Sequence, residues 1–262
     1  MLRAYMGNSL GDHFGQANLF AEGYAPGVFY GYQTDGVIQA ADMDASNPEA
    51  YCNKVTSSIG TIAEGNWKFV DRNGDGTVNE LDKTVIGNPN PDFTYGFRTT
   101  LKWKGLSLSM AFTGVKGNDI FNANARYYRF PSTSTSMVSH ESFLSMYRQD
   151  NPWCGALTTG ATMTSLSSVT PKVAFDQYVE DGSYLRCSDI TLAYEFPKAW
   201  MSKLRSTGAS IYCSVKNAFT ITNYSGYDPE VNTFAFDGTR PGIDLSSYPH
   251  TRTIVLGLNI AF

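Results

Sequence analysis

The sequence predicts an all-β fold, in which antiparallel amphipathic strands form the C-terminal part of a transmembrane β-barrel with long extracellular loops. Apolar and polar residues alternate strictly in several segments, whereas helical periodicity is nearly absent. The alternating segments have about the 9–11 residues that a strand needs to cross a bilayer at a tilt. Long polar stretches separate them, which is rare in compact soluble domains and usual on one side of an outer-membrane barrel.

Composition excludes nucleic acid as a partner and leaves the compartment open. The chain has 262 residues and a formal net charge of -4, so it offers no basic stripe for nucleic acid. The N-terminus, MLRAYMGNSLGD, lacks the order of a signal peptide, and no apolar run is long enough for a spanning helix. We therefore expect either a cytosolic protein or a chain without its export signal. The cysteines form no CxxC pair and are expected to be isolated thiols: Cys52, Cys154, Cys187 and Cys213.

The clearest alternation predicts a β-hairpin. In residues 93–103, FTYGFRTTLKW, aromatic and other apolar residues occupy almost every second position. A short KG turn follows, and residues 106–116 begin with LSLSMAF, which repeats the pattern. Two alternating segments joined by such a turn are typical of a hairpin.

The same alternation predicts three further strands, at 184–196, 208–219 and 251–262. In the first of them, Leu185 and Cys187 share one parity and Ile190 has the other. This change of parity indicates a β-bulge near Ser188 and Asp189. The connection that follows, PKAWMSKLRSTG, is short and compatible with one helical turn.

The end of the chain predicts an orientation. The last strand is apolar on one face and ends in Phe262, which resembles the signal by which bacterial outer-membrane barrels are recognised for assembly. With Phe262 on the periplasmic side, counting strands backwards places the three long segments, 1–92, 117–183 and 220–250, outside the cell. Both short connections then lie inside.

The stretch DRNGDGTVNELD, residues 71–82, matches the ligand spacing of a calcium loop. The predicted ligands are Asp71, Asn73, Asp75, Thr77 through its backbone carbonyl, Asn79 and Asp82. Asp82 stands where a bidentate Glu is usual, and the flanking sequence lacks the helices of a signalling EF-hand. We therefore expect Ca²⁺ in a structural role, with an Asp-Gly turn that holds no metal as the alternative.

Segments throughout the chain resemble the C-terminal part of SusC/RagA-type TonB-dependent outer-membrane transporters. They follow the family's order: FYGYQTDGV (29–37), FVDRNGDGTVNELDKTVIGNPNPDFTYGF (69–97), GVKGNDIFN (114–122), VEDGSYLRCSDITLAYEFP (179–197), VKNAFTITNYSGYDPEVN (215–232) and GIDLSSYPHTRTIVLGLNIAF (242–262). Cys187 departs from the family's pattern, which has an apolar residue there.

The resemblance implies a part of a nutrient importer in the outer membrane of a Gram-negative bacterium, which takes up oligosaccharides or peptides and has no enzymatic activity. A SusD-like surface lipoprotein would cap the barrel, and TonB would supply energy through an N-terminal part that this chain lacks. The barrel-assembly machinery would insert the protein into outer-membrane lipid. Family members close about 22 strands around a plug, so we expect residues 1–262 to be a fragment without plug or signal peptide.

Aromatic residues in the predicted external loops are candidate contacts for a ligand or partner: Tyr127, Tyr128, Trp153 and Tyr227. The alternative is that such residues pack the loops onto one another. The histidines, His13, His140 and His250, are expected to be solvated.

Two other classes of protein stay open. A secreted, calcium-stabilised carbohydrate-binding β-sandwich would pack its strand faces on a second sheet. A dockerin-like interaction module would need a second calcium loop, which the sequence does not contain.

Overall fold

The computed structural model describes residues 4–133, 137–149, 155–201 and 206–261, and they are mostly β structure. The strands are β1 (Ala4–Met6), β2 (Asn18–Ala21), β3 (Val28–Gly31), β4 (Thr34–Val37), β5 (Thr56–Ser57), β6 (Trp67–Phe69), β7 (Thr77–Val78), β8 (Thr84–Gly87), β9 (Phe93–Trp103), β10 (Leu106–Lys116), β11 (Asp119–Asn122), β12 (Val179–Asp181), β13 (Tyr184–Glu195), β14 (Gly208–Thr222), β15 (Ile243–Asp244) and β16 (Thr253–Ala261). The all-β prediction is confirmed.

The helices in the described residues are short. They are α1 (Tyr51–Lys54), α2 (Ala125–Tyr128), α3 (His140–Ser145) and α4 (Lys198–Met201), with 3-10 turns at Ala40–Met43, Glu80–Asp82 and Asp176–Tyr178. None of these helices has the length and apolar character that crossing a membrane requires.

The chain divides into two compact units, which we call the strand unit and the loop unit. The strand unit comprises residues 91–118, 181–230 and 248–262. The loop unit comprises residues 1–90, 119–180 and 231–247.

The strand unit is built on one antiparallel sheet with the strand order β16-β14-β13-β10-β9. Strands β9 and β10 pair along their whole length as the predicted hairpin, from Phe93 opposite Lys116 to Trp103 opposite Leu106. Lys104 and Gly105 form the two-residue turn, with φ of 45° and 86°. Two positive φ values in succession are typical of the type I′ turn, whose twist matches that of a hairpin.

The predicted bulge is present in β13. Cys187 pairs with Phe112 and Asp189 pairs with Ala111, so Ser188 is an extra residue in the ladder. The Ser188 hydroxyl donates a hydrogen bond to the backbone carbonyl of Ala111 over 3.1 Å. Cys187 and Ile190 are an odd number of residues apart, and without the bulge they would lie on opposite faces of the sheet. The extra residue Ser188 places Cys187 on the same face as the apolar residues that follow the bulge.

The register gives the sheet one apolar face and one polar face. The apolar face includes Phe97, Leu101, Leu108, Met110, Ile190, Leu192, Ile211, Val215, Leu256 and Leu258. Phe97, Leu101 and Leu256 are 54%, 60% and 76% exposed. The polar face includes Arg98, Thr100, Lys102, Ser107, Ser109, Asp189, Thr191, Ser214, Lys216 and Asn259.

The connections of the sheet follow the predicted asymmetry. At one end, the Lys104–Gly105 turn joins β9 to β10, and a short segment that contains α4 joins β13 to β14. At the other end, the chain leaves the sheet before β9, between β10 and β13 and between β14 and β16. Strand β14 runs to Thr222 and so is longer than predicted. Phe262, the predicted assembly signal, lies outside the described residues.

The described residues of the loop unit form four small sheets, where the sequence led us to expect long loops. Its sheets have the orders β1-β2-β3-β8, β12-β11-β15, β4-β6 and β5-β7. Buried aromatic side chains form its core, including Phe14, Phe29, Trp67, Phe69, Phe121, Phe130, Phe175 and Tyr178. Strands of two to four residues are too short to show alternation, so only contacts between distant segments reveal this unit.

Phe175 lies at the centre of this aromatic core and is fully buried. Its ring lies 4.6 Å from that of Tyr178 and 5.7 Å from that of Trp67, measured between ring centroids. The Phe175→Ala substitution should lower the free energy of unfolding of the loop unit by about 3–5 kcal/mol because it leaves a cavity. Urea denaturation in detergent, followed by near-ultraviolet circular dichroism, measures this change.

The matched control is Phe236→Ala, since Phe236 belongs to the same unit and is 93% exposed. It should change the free energy of unfolding by no more than about 0.5 kcal/mol. Equal effects of the two substitutions would contradict the assignment of the core.

Candidate functional site

The predicted calcium loop lies in the loop unit, between β6 and β8. It begins at Asp71, whose carboxylate accepts hydrogen bonds from the backbone N–H groups of Gly74 and Gly76 over 2.8 and 2.7 Å. Both glycines have positive φ, 73° and 81°, which residues with a Cβ rarely adopt. The carboxylate of Asp71 therefore fixes the sharp turn that follows it.

Short polar side chains continue this pattern along the loop. Asn73 Oδ1 accepts a hydrogen bond from the N–H of Asp75, and Asp75 Oδ1 accepts one from the N–H of Thr77, both over 2.8 Å. Asn79 Oδ1 accepts one from the N–H of Leu81 over 2.8 Å. Each side chain thus orients the backbone two residues further on, as Asx turns do.

Asp82 closes the loop from inside and is fully buried. Its Oδ1 accepts hydrogen bonds from the N–H groups of Arg72 and Asn73 over 2.8 and 3.3 Å. Its Oδ2 accepts one from the N–H of Asn79 over 2.8 Å. The last predicted ligand therefore holds the two ends of the loop together through backbone groups.

Two contacts fix the loop within its unit. The buried Tyr32 donates a hydrogen bond to Glu80 Oε1 over 3.3 Å, and Lys83 Nζ lies 5.4 Å from the centre of its ring. Burial and the Glu80 carboxylate raise the pKa of Tyr32. The loop also pairs with residues 56–58, as the N–H of Thr56 donates to the carbonyl of Gly76 over 2.8 Å.

The side-chain oxygens of the loop are of the type that hard cations such as Ca²⁺ bind, but they differ in how many hydrogen bonds they already accept. An ionised carboxylate offers about four lone-pair sites, so Asp71, which accepts one N–H on each oxygen, keeps capacity for a cation. Asp82, by contrast, already accepts three N–H groups. Within the described ranges, no group of three His, Cys, Asp or Glu side chains is arranged to hold a metal ion.

Comparison with known proteins identifies the family. No family model matches the chain. The chain is 31% identical to TonB-dependent receptor P3 of Formosa agariphila over 94% of its own length, and 31% identical to TonB-dependent receptor SusC of Bacteroides thetaiotaomicron over 74%. The chain belongs to the SusC/RagA-type TonB-dependent receptors. It spans 23% and 17% of the lengths of these two relatives.

Solved structures show the same fold for this receptor chain. The RagAB peptide importer in its open-open state matches with a TM-score of 0.70 and 18% identity, over 99% of this chain and 24% of that one. The closed-closed state of RagAB matches with a TM-score of 0.64 and 20% identity. At these identities the likeness concerns the fold.

A buried ion-pair cluster in the strand unit of the receptor chain was not predicted from the sequence. Asp228 and Arg186 are both almost fully buried, and their side chains form an ion pair. Arg186 also pairs with Glu230 over 2.9 Å. His250, expected to be solvated, is exposed and also contacts Asp228 through Nδ1 over 2.8 Å. Because these residues are far apart in the chain, their spacing carries no signal that sequence reasoning could have used.

Hydrogen bonding stabilises the charged form of Asp228. Burial alone would raise the pKa of this carboxyl. The backbone N–H groups of His250 and Glu230, the His250 imidazole and the Arg186 guanidinium outweigh burial and lower the pKa to about 2. The cluster therefore fastens the β14–β16 connection to β13 through a carboxylate that stays ionised at neutral pH.

The candidate aromatic contacts of this receptor chain have different environments. Tyr127 is 47% exposed and packs edge-on against His13. Tyr128 is half-buried, and its hydroxyl accepts a hydrogen bond from Asn122 Nδ2 over 3.1 Å. Tyr227 is 88% exposed, whereas Trp153 lies outside the described residues. Tyr127 and Tyr227 thus have accessible ring surface, and their role as contacts stays a prediction.

The described cysteines of the chain are free thiols: Cys52, Cys187 and Cys213. Cys154 lies outside the described residues.

The buried carboxylate of Asp82 should stabilise the loop in the absence of metal. The Asp82→Ala substitution leaves three N–H groups without their acceptor, so it should lower the free energy of unfolding by about 1–3 kcal/mol, the cost of unsatisfied buried polar groups. Urea denaturation with a calcium chelator present measures it. Leu81→Ala, at the neighbouring position where the side chain is 75% exposed, is the matched control. If both variants unfold at the same urea concentration, the loop does not depend on Asp82.

Proposed function

We propose that this chain forms a section of the wall and external loops of a nutrient importer in the outer membrane of a Gram-negative bacterium. The five-stranded sheet of the strand unit carries the proposal. One face of this sheet carries mostly apolar side chains, several of them exposed, and the other carries charged and hydroxyl side chains. Alternation of this kind is what a barrel needs between lipid outside and a polar lumen inside.

The ends of the strands support placement in a bilayer. At one end of the sheet, Phe93 and Tyr95 are exposed on the apolar face. At the other end, Trp103 is 69% exposed, and Lys104 Nζ lies 5.2 Å from the centre of its ring. Aromatic rings at both membrane interfaces and a lysine beside them are typical of transmembrane barrels. Strand β9 has 11 residues, which is enough to cross at a tilt.

The polar face would line the interior of the barrel. Asp189 accepts a hydrogen bond from the Ser214 hydroxyl over 3.0 Å, and the Thr191 hydroxyl lies within hydrogen-bond distance of both Asp189, at 3.0 Å, and Ser214, at 2.9 Å. These contacts satisfy a carboxylate that would otherwise be costly within a membrane-spanning sheet. The backbone groups at both sheet edges would pair with the remaining strands of the receptor.

The importer would take up oligosaccharides or peptides without breaking a bond in them. The similarity to SusC and the fold match to RagAB, which is described as a peptide importer, support this cargo class. By the family resemblance, a SusD-like surface lipoprotein would cap the barrel and TonB would supply the energy. Barrel-assembly machinery would insert the protein into outer-membrane lipid.

The two rival protein classes find less support. In a β-sandwich, the apolar face of the sheet would be covered by a second sheet. Here Leu101, Leu256 and Leu258 on that face are each at least 60% exposed. A dockerin-like module would require two calcium loops, and the sequence contains a single loop of this type.

Growth assays test the proposal of import. A strain that lacks the whole receptor should lose growth on one member of a panel of peptides and polysaccharides supplied as sole nutrient. The wild-type receptor gene should restore that growth. Unchanged growth on every nutrient of the panel, with rival uptake systems also removed, would contradict the proposal.

Substitutions on the two faces of β16 test the placement in lipid. In the full-length receptor, Leu256→Arg should destabilise the folded barrel by about 2–4 kcal/mol, the cost of a cation near the midplane of the bilayer. Heat-modifiable migration of outer-membrane fractions in gel electrophoresis measures the folded fraction. Asn259→Arg, on the polar face of the same strand, should fold as the wild type does. Equal folding of both variants would argue against a lipid-facing apolar side.

We also propose that residues 71–82 bind Ca²⁺ in a structural role. Asp71, Asn73, Asp75 and Asn79 would supply side-chain oxygens, Thr77 its carbonyl, and Asp82 the closing carboxylate. The loop already has a turn at Gly76 and side-chain hydrogen bonds that orient successive oxygens. Bound Ca²⁺ would offset the mutual repulsion of these carboxylates.

Calorimetric titration of the purified chain with Ca²⁺ tests this proposal. The wild type should bind one ion, and Asp75→Ala should bind it at least about tenfold more weakly, a loss of about 1.4 kcal/mol. Asp12→Ala, which removes an exposed carboxylate outside the loop, should bind as the wild type does. Negligible binding by all three proteins would instead favour a loop that holds its shape without metal.

A further inference from the structure

The calcium-type loop contains the Asn-Gly dipeptide of this sequence, Asn73–Gly74. Asparagine followed by glycine is chemically labile, because the backbone nitrogen of glycine can attack the side-chain amide carbon without obstruction from a Cβ. Both residues are exposed, and an added Cβ on Gly74 would meet no atom within 4 Å. The site is therefore open to solvent and sterically free.

The nucleophile in such an attack is the backbone nitrogen of Gly74, which must lose its proton. Its N–H donates a hydrogen bond to Asp71 Oδ1 over 2.8 Å. A carboxylate at this distance can accept the proton as the new carbon–nitrogen bond forms, because general bases act within hydrogen-bond reach.

The electrophile is the side-chain carbon of Asn73, whose oxygen gains negative charge during the attack. Asn73 Oδ1 accepts a hydrogen bond from the N–H of Asp75 over 2.8 Å. A backbone N–H already directed at the oxygen where charge develops stabilises the tetrahedral intermediate, as in an oxyanion hole. The folded loop thus supplies a proton acceptor on the nucleophile and a donor on the electrophile.

We propose that Asn73 is a site of intramolecular deamidation, promoted by the hydrogen bonds of the folded loop. The Gly74 nitrogen bonds to the Asn73 side-chain carbon, and the carbon–nitrogen bond of the side-chain amide breaks. The Gly74 nitrogen gives its proton to Asp71, which passes it on to solvent. The departing nitrogen takes a proton from solvent and leaves as ammonia. One water molecule then opens the cyclic imide to aspartate or isoaspartate, with no oxidant or reductant involved.

The modification would change the loop in a defined way. Asn73 Nδ2 donates a hydrogen bond to Asp75 Oδ2 over 2.9 Å. Aspartate at position 73 replaces this donor by a carboxylate, which places two like charges in contact. Isoaspartate in addition adds a methylene to the main chain and shifts the N–H groups that follow. Either product weakens the loop when no cation is present, and this consequence does not depend on import or on metal binding.

Peptide mapping of the whole purified chain tests the proposal. The chain is incubated at neutral pH with a chelator, and trypsin then releases residues 73–83, NGDGTVNELDK, for mass spectrometry. The mass gain that accompanies exchange of the amide for a carboxyl should map to Asn73. Asn79, in the same peptide, is the internal control and should react at least about tenfold more slowly, which corresponds to about 1.4 kcal/mol of barrier.

Two comparisons separate promotion by the fold from the reactivity of the dipeptide itself. Asn73 in the folded chain should deamidate faster than Asn73 in the same chain unfolded in urea. Asp71→Asn, which keeps a side chain of the same shape but removes the basic carboxylate, should slow the reaction in the folded chain and leave the rate in urea unchanged. Folded and unfolded chains that react at the same rate, or a folded chain that reacts more slowly, would overturn the proposal.

Discussion

The pairing of backbone hydrogen bonds across β9, β10, β13, β14 and β16 is the constraint on which the strand unit depends. Each ladder fixes which residues stand opposite one another and therefore which face each side chain takes. A slip of one residue would move the apolar side chains of a whole strand to the polar face. In β13, the extra residue Ser188 prevents such a slip between the residues before it and those after it. The bulge thus places the apolar residues before and after Ser188 on the same face of β13.

The loop unit is held together by a different principle. Its strands have two to four residues, so backbone ladders alone contribute little order. The aromatic core supplies the rest, with rings drawn from each of the separate stretches 1–90 and 119–180. Polar groups then fix the segments between the rings. Asp176, for example, accepts hydrogen bonds from the N–H and the hydroxyl of Thr34 over 3.0 and 2.8 Å.

The parts of the fold that show a regular alternation within a single strand could be predicted from the sequence. The hairpin 93–116, the bulge near Ser188 and the all-β class follow from alternation that any one strand displays by itself. The loop unit could not be predicted in this way, because contacts such as that between Phe175 and Trp67 join residues more than a hundred positions apart in the chain. The calcium-type loop was found by spacing, yet spacing could not show that Asp82 faces backbone N–H groups. The Arg186–Asp228 pair was missed for the same reason, since no short motif joins its members.

The carboxylate of Asp82 holds the loop together from within the chain, by accepting hydrogen bonds from three backbone N–H groups. A cation reaches a loop from the surrounding medium, and its occupancy falls as the medium is depleted. The carboxylate of Asp82 is covalently attached, so its effective concentration at the N–H groups of Arg72, Asn73 and Asn79 is the same in every compartment. The two ends of the loop can therefore be joined without a cation.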